Sequence, residues 1–136
     1  MALRCLIVDD NDHFRVAARD LLEQEGIAVV GMASTTAQAV QLVGDLRPDV
    51  VLVDIELGEE NGFEVARRLG GAGHAERTSV ILISVHAEVD FADMMEASSA
   101  VAFLPKSDIS GRAISNILGD AGFWGRRGRG GGESGT

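Results

Sequence analysis

Cations, cysteines and long apolar runs are all scarce in this chain. Twelve Lys and Arg residues face twenty-one Asp and Glu residues, a net charge of -9 over 136 residues. A phosphate backbone is repelled by such a surface at long range, which argues against nucleic acid as the main partner. The single cysteine, Cys5, allows no intramolecular disulfide and no cysteine metal cluster, and it suits a reducing compartment. Its simplest role is that of a small buried hydrophobe. No apolar run approaches the roughly 20 residues of a membrane span. Met1 leads directly into a strand-like segment with no signal peptide before it. His13, His74 and His86 lack the spacing of metal ligands and read as surface residues. Lys106 is the only lysine; the other eleven cations are arginines. Genome composition accounts for that bias in general, but the two cations are not chemically equivalent, so the one retained lysine draws attention. What is present, 46% apolar and 24% charged residues, fits one globular domain with its own core. The expectation is a small, acidic, cytoplasmic domain.

Short apolar runs alternate with segments of helical period. The runs are Leu3 to Val8, Ile27 to Met32, Val50 to Val53, Val80 to Ile83 and Ala100 to Leu104. Several are continuous rather than alternating, so these strands expect cover on both faces, as in a parallel sheet between helix layers. Phe14, Ala17, Ala18, Leu21 and Leu22 form the stripe of a first helix that ends at Gly26. Ala39, Val40, Val43 and Leu46 mark a second, capped within Ser34 to Thr36 and closed by Pro48. Phe63, Ala66 and Leu69 mark a third, followed by the connector Gly70-Gly71-Ala72-Gly73. Phe91, Met94 and Met95 suggest a fourth, and Ala113, Ile114, Ile117 and Leu118 a fifth. The resulting fold class is α/β, a (βα)5 domain with right-handed crossovers. It occupies residues 1–121. Residues 122–136 form a Gly/Arg-rich tail, seven of its fifteen residues being glycine, which reads as disordered. Arg126, Arg127 and Arg129 with Trp124 have some likeness to an RNA-contacting element, but a solubilising tail or a cut linker fits better. Without the tail, nine cations stand against twenty acids, so the body is more acidic still.

In an open α/β sheet, ligands bind at the carboxyl ends of strands where the strand order reverses. Strand one runs into Asp9-Asp10, strand three ends at Asp54, strand four at Ser84, and strand five runs into Pro105-Lys106. With the order 2-1-3-4-5, every strand flanking the crevice delivers a polar group to it. The edge strand, ending in Met32-Ala33, delivers none. Two unit charges about 4 Å apart repel by about 4 kcal/mol at an effective dielectric of 20. Keeping Asp9, Asp10 and Asp54 ionised together therefore needs a cation, and oxygen-only ligands favour Mg²⁺ (or Mn²⁺) over zinc. With Lys106 as a fixed positive charge and Ser84 as a hydroxyl donor, the set suits a phosphoryl group, and a carboxylate can itself be the nucleophile.

Asp54 lies forty-four residues after Asp10, Ser84 thirty further, Phe103 nineteen further and Lys106 three beyond. In that order and spacing, over about residues 3 to 120, the chain resembles the receiver domain of bacterial two-component response regulators. Arg47-Pro48-Asp49-Val50-Val51-Leu52-Val53-Asp54 also resembles the family's approach to its phosphorylated aspartate. The resemblance implies a flavodoxin-like fold and a phosphoacceptor, Asp54, served by a sensor histidine kinase. Asp9 and Asp10 would organise Mg²⁺, with Asp54 and the Glu56 main-chain carbonyl as further contacts. Ser84 would close on the phosphoryl group, Phe103 would rotate inward with it, and Lys106 would bridge the phosphoryl oxygens. Glu56 and His86 occupy the positions that tune phosphoryl lifetime, by aiding or obstructing an attacking water. The switched surface, around helix four, strand five and helix five, would bind an effector or a second copy. Nucleic acid would be reached only through an output domain that this chain does not contain. The family usually has proline where this chain has Gly58, which predicts a less constrained loop, while the expected Gly62 is in place.

Two other readings compete. A haloacid-dehalogenase-like phosphatase also forms a phospho-aspartate, and Asp10-Asn11-Asp12 superficially fits its Asp-x-Asp, but no cap domain is present and Asp54 has no role in it. A receiver-like interaction module that no longer accepts phosphate is opposed by the intact acidic pair, Asp54 and Lys106. The expectation is thus a signalling domain, not an enzyme with a separate substrate.

Overall fold

The computed structural model describes residues 3–58, 60–69, 78–85 and 100–120. The elements are β1 (Arg4–Val8), α1 (Asp12–Gln24), β2 (Ala28–Ala33), α2 (Thr36–Leu46), β3 (Val50–Asp54), α3 (Gly62–Leu69), β4 (Ser79–Ser84), β5 (Ala102–Pro105) and a C-terminal helix, Gly111–Asp120. A two-stranded ribbon, Glu56–Leu57 against Glu60–Asn61, links β3 to α3, and a 3-10 turn, Lys106–Asp108, follows β5. The five strands are parallel, as expected from the alternation of runs and helical segments, and their order, β2-β1-β3-β4-β5, is the expected 2-1-3-4-5.

The continuous apolar runs are explained by a core on each face. Successive side chains of a strand point to opposite faces. Cys5, Ile7, Val50, Leu52, Ile81 and Ile83 accordingly meet Ala18 and Leu22 of α1 and Ile114 and Leu118 of the C-terminal helix. Leu6, Val8, Val51, Val53, Val80 and Leu82 meet Ala39 and Val43 of α2 and Val65, Ala66 and Leu69 of α3. The first helix is narrower in its contact than its sequence stripe. Phe14, Ala18 and Leu22, spaced by four, face the sheet, whereas Ala17 and Leu21 are exposed. Each of those two precedes a buried-row residue by one position, a turn of about 100° away from the sheet.

Local chemistry sets the ends. Asn11 caps α1 by accepting the Phe14 N–H at 3.0 Å, and Gly26 takes φ +92 just beyond its end. Thr35 caps α2 through the Gln38 N–H, and that helix stops at Arg47 with φ 51. The Arg4 guanidinium donates to the carbonyls of Leu46 (2.6 Å) and Arg47 (3.0 Å), while the Arg4 N–H donates to Asp49 Oδ2 at 2.9 Å. These bonds tie the start of β1 to the approach to β3. Val8 then pairs with Val53, so Asp9 and Asp54 emerge side by side at the carboxyl edge.

The expected fourth helix (Phe91, Met94, Met95), the connector Gly70 to Gly73, His74, His86 and the tail 122–136 lie outside the described residues. No helix among the described residues is long and apolar enough to cross a membrane.

Candidate functional site

A pocket of about 340 Å³ opens at the carboxyl edge of the sheet, lined by Asp9, Asp10, Asn11, Asp54, Glu56, Gly58, Val85 and Lys106. Three chain segments that are remote in sequence deliver its acids and its cation, as the strand order requires. Carboxylate oxygens of Asp9, Asp10 and Asp54 lie within 4.8 Å of one another. Asp9 is fully buried and Asp54 nearly so, while Asp10 is exposed.

The hydrogen bonds divide the oxygens of the two buried acids. Asp9 Oδ1 accepts the Asn11 N–H at 2.9 Å, and Asp54 Oδ1 accepts the Glu56 N–H at 3.0 Å. Lys106 Nζ reaches the other oxygen of each, 2.6 Å from Asp9 Oδ2 and 3.1 Å from Asp54 Oδ2. Only the Asp54 contact has hydrogen-bond geometry; Asp9 Oδ2 is buried and paired by charge alone. Among the described residues, one ammonium thus faces three carboxylates, and the excess negative charge favours a further cation. A small divalent ion with a preference for oxygen fits this donor set. The buried Asp9 oxygen, lacking a directed bond, fits it as well.

Charge and burial oppose each other here. Burial pushes the Asp54 carboxyl up to about 6, with the Asp9 charge adding to the rise, while the Glu56 N–H and the Lys106 ammonium pull it back. Burial works against the Lys106 charge too, but the close contact and charge of Asp9 and the hydrogen bond and charge of Asp54 outweigh it and raise its pKa. The ammonium is therefore locked on, at 13% side-chain exposure.

Ser84 ends β4 as expected, paired in register with Pro105 beside Lys106, but it is buried and does not line the pocket; its neighbour Val85, 66% exposed, does. Phe103 is half-buried against the core face that holds Leu82 and Val53, also away from the pocket lining. Glu56 is exposed at the rim. Asp12 is not part of the lining either. It pairs with Arg15 one helical turn on, which removes the second acid of the Asp-x-Asp reading.

The segment after β3 differs from the loosely constrained loop that Gly58 predicts. Glu56 pairs with Asn61 and Leu57 with Glu60, so a ribbon holds it, and Gly58 takes φ +61. That conformation is closed to proline, whose ring fixes φ near −65°. A Cβ on Gly58 would stand 3.4 Å from Asp10 Oδ2, so the bare glycine leaves room beside that acid. Gly62 is needed for a different reason. Its N–H donates to the Ile55 carbonyl at 2.8 Å, and a Cβ there would come 2.2 Å from the Asp54 carbonyl oxygen. The parts of the site that sequence reasoning missed, Asn11, Val85 and the Gly58 backbone, act through backbone geometry or mere position and carry no ionisable signal.

Comparison with known proteins agrees with this geometry. The family model described as response regulator receiver domain matches residues 5–117. A protein-glutamate methylesterase/protein-glutamine glutaminase of Alkalilimnicola ehrlichii is 37% identical over 116 residues, covering 82% of this chain but 29% of its own length. The chain spans less than a third of the methylesterase relatives it matches, so their named activity does not transfer with the match. Among solved structures, a LuxR-family two-component response regulator from Aurantimonas superposes with a TM-score of 0.78 at 27% identity, covering 88% of this chain and 87% of that one. The response regulator domain of Thermotoga maritima CheB gives 0.69 at 27%, with 89% and 93% covered. The chain belongs to the response regulator receiver domain family of two-component signalling.

Proposed function

We propose that Asp54 accepts a phosphoryl group from the phosphohistidine of a sensor histidine kinase. The observation that carries this reading is the single ammonium of Lys106 set between Asp9 and Asp54 in a pocket of three carboxylates. An Asp54 oxygen attacks phosphorus, the P–N bond breaks, and the kinase histidine leaves with the electron pair and takes a proton. The product is an acyl phosphate on Asp54. Mg²⁺, held by Asp9, Asp10, Asp54 and the Glu56 main-chain carbonyl, would neutralise charge on the transferring phosphoryl oxygens. Lys106 keeps Asp54 ionised and supplies a positive charge on the opposite side. The Glu56 N–H holds one Asp54 oxygen, which limits rotation of the carboxylate.

Phosphorylation adds about 1.5 to 2 negative charges in place of one carboxylate. Lys106 follows that charge, Ser84 moves from its buried place at the end of β4 to donate to it, and Phe103 fills the space this opens. β5, the C-terminal helix and the segment before β5 then present the altered surface to an effector or to a second copy of the chain. Glu56, at the rim, and His86 set how readily water reaches the acyl phosphate. The domain turns over no substrate but its own phosphoryl group. Reduction of the phosphorylated chain with borohydride converts an aspartyl phosphate to homoserine. Peptide mass mapping should place that homoserine at position 54 alone; homoserine elsewhere, or none, contradicts the assignment.

A further inference from the structure

The one lysine has a third neighbour that the phosphoacceptor chemistry leaves without a role. Its Nζ lies over the Phe14 ring, 4.2 Å from the centroid. Phe14 stands in the first turn of α1, four residues past Asp10, half-buried against the core face shared by Ile7 and Leu52. Its N–H is held by the Asn11 cap, and Asn11 is held in turn by Asp9. The ring is therefore fixed by the same loop that supplies the acids.

An ammonium over an aromatic face is attracted by the ring quadrupole, and the attraction strengthens as water is excluded. The other two partners of Lys106 change during the proposed reaction. Asp54 gives an oxygen to phosphorus, and Asp9 would be one of the acids that hold the metal. The ring does not change. We infer that Phe14 is a positioning residue for Lys106, keeping its ammonium aimed at Asp54 when both carboxylates are otherwise engaged. Without the ring, the ammonium is free to settle on Asp9, already the nearer acid at 2.6 Å against 3.1 Å. This inference rests on the phosphoacceptor reading of Asp54.

The test uses the full chain with 13C-labelled lysine, in which Lys106 gives the only lysine signals, and with fluorinated phenylalanines inserted at position 14 alone. In the metal-free wild type, the ring current should move the Lys106 ε-methylene protons upfield of their position in Phe14→Leu. With Mg²⁺ and phosphoramidate, labelling should slow by about 3- to 10-fold in Phe14→Leu and stay within about twofold in Phe14→Tyr. It should fall stepwise through mono-, di- and trifluorophenylalanine, which keep the shape of the ring and withdraw its face charge. Equal rates across the fluorinated series, or no difference in the Lys106 shift, would overturn the inference and leave Phe14 as packing. A wild type that takes no phosphoryl group overturns the phosphoacceptor reading and this role with it, while the proton shift still reports whether the ring contact exists.

Discussion

At Asp54, burial and charge pull in opposite directions, and the outcome is measurable. Its carboxyl, ordinarily near 3.8, is pushed up to about 6, chiefly by burial, against the pull of the Glu56 N–H and Lys106. A folded-state value above the unfolded one means that this group favours the fold below about pH 4, and that the advantage is lost as pH rises through 6. The proton and the proposed Mg²⁺ compete for the same oxygens. The affinity for Mg²⁺ should therefore weaken about tenfold between pH 7 and pH 5. Calorimetric titration at the two values checks this; a pH-independent affinity would mean that Asp54 does not ligate. Lys106 carries the complementary prediction. Removing its charge leaves the buried Asp9 oxygen with no cation, and uncompensated buried charges cost about 3 kcal/mol or more. Lys106→Met should lower the metal-free melting temperature, and saturating Mg²⁺ should restore much of the loss. A drop unaffected by Mg²⁺ would point to lost packing.

The elements differ in how openly their sequences announced them. The strands were legible because both faces are buried, so Leu6-Ile7-Val8 and Val80 to Ile83 read as unbroken apolar runs. The acids, Ser84 and Lys106 were legible at strand ends for the same reason, each lying within two residues of the end of such a run. What could not be read depends on where an element leans. The α1 stripe included Ala17 and Leu21, because periodicity gives a helix its apolar side but not its line of contact. Likewise, Ser84 and Phe103 occupy the expected strands, yet neither lines the pocket, since a sequence position specifies no rotamer and no depth. The ribbon after β3 was hidden because its signal is one glycine at φ +61. It supports a prediction that runs against the family's usual pattern. Gly58→Pro should lower stability by about 2 kcal/mol or more, since the native φ is unavailable to the ring. Chemical denaturation of the variant checks this, and an unchanged midpoint would show that the ribbon refolds freely around proline.

For the molecule as a whole, the sheet order turns a scatter of acids into one site, while the rest of the fold insulates it. Net charge of -9 adds to the local repulsion, so the metal-free protein stands under electrostatic load at one edge. A ligand that binds only the folded state raises stability by about 2.7 kcal/mol at a hundredfold excess over its dissociation constant. Mg²⁺ should therefore raise the melting temperature of the wild type. Asp10→Asn, altering the exposed acid of the three, should abolish that rise without lowering the metal-free value. A Mg²⁺ response that survives the substitution would place the ion elsewhere. The central claim, that Asp54 is the phosphoacceptor, is tested most directly by intact mass after incubation with Mg²⁺ and phosphoramidate. Wild type should gain one phosphoryl group, and Asp54→Asn or added EDTA should prevent it. A folded, Mg²⁺-loaded wild type that gains no mass, or an Asp54→Asn chain that gains it as readily, would contradict the account.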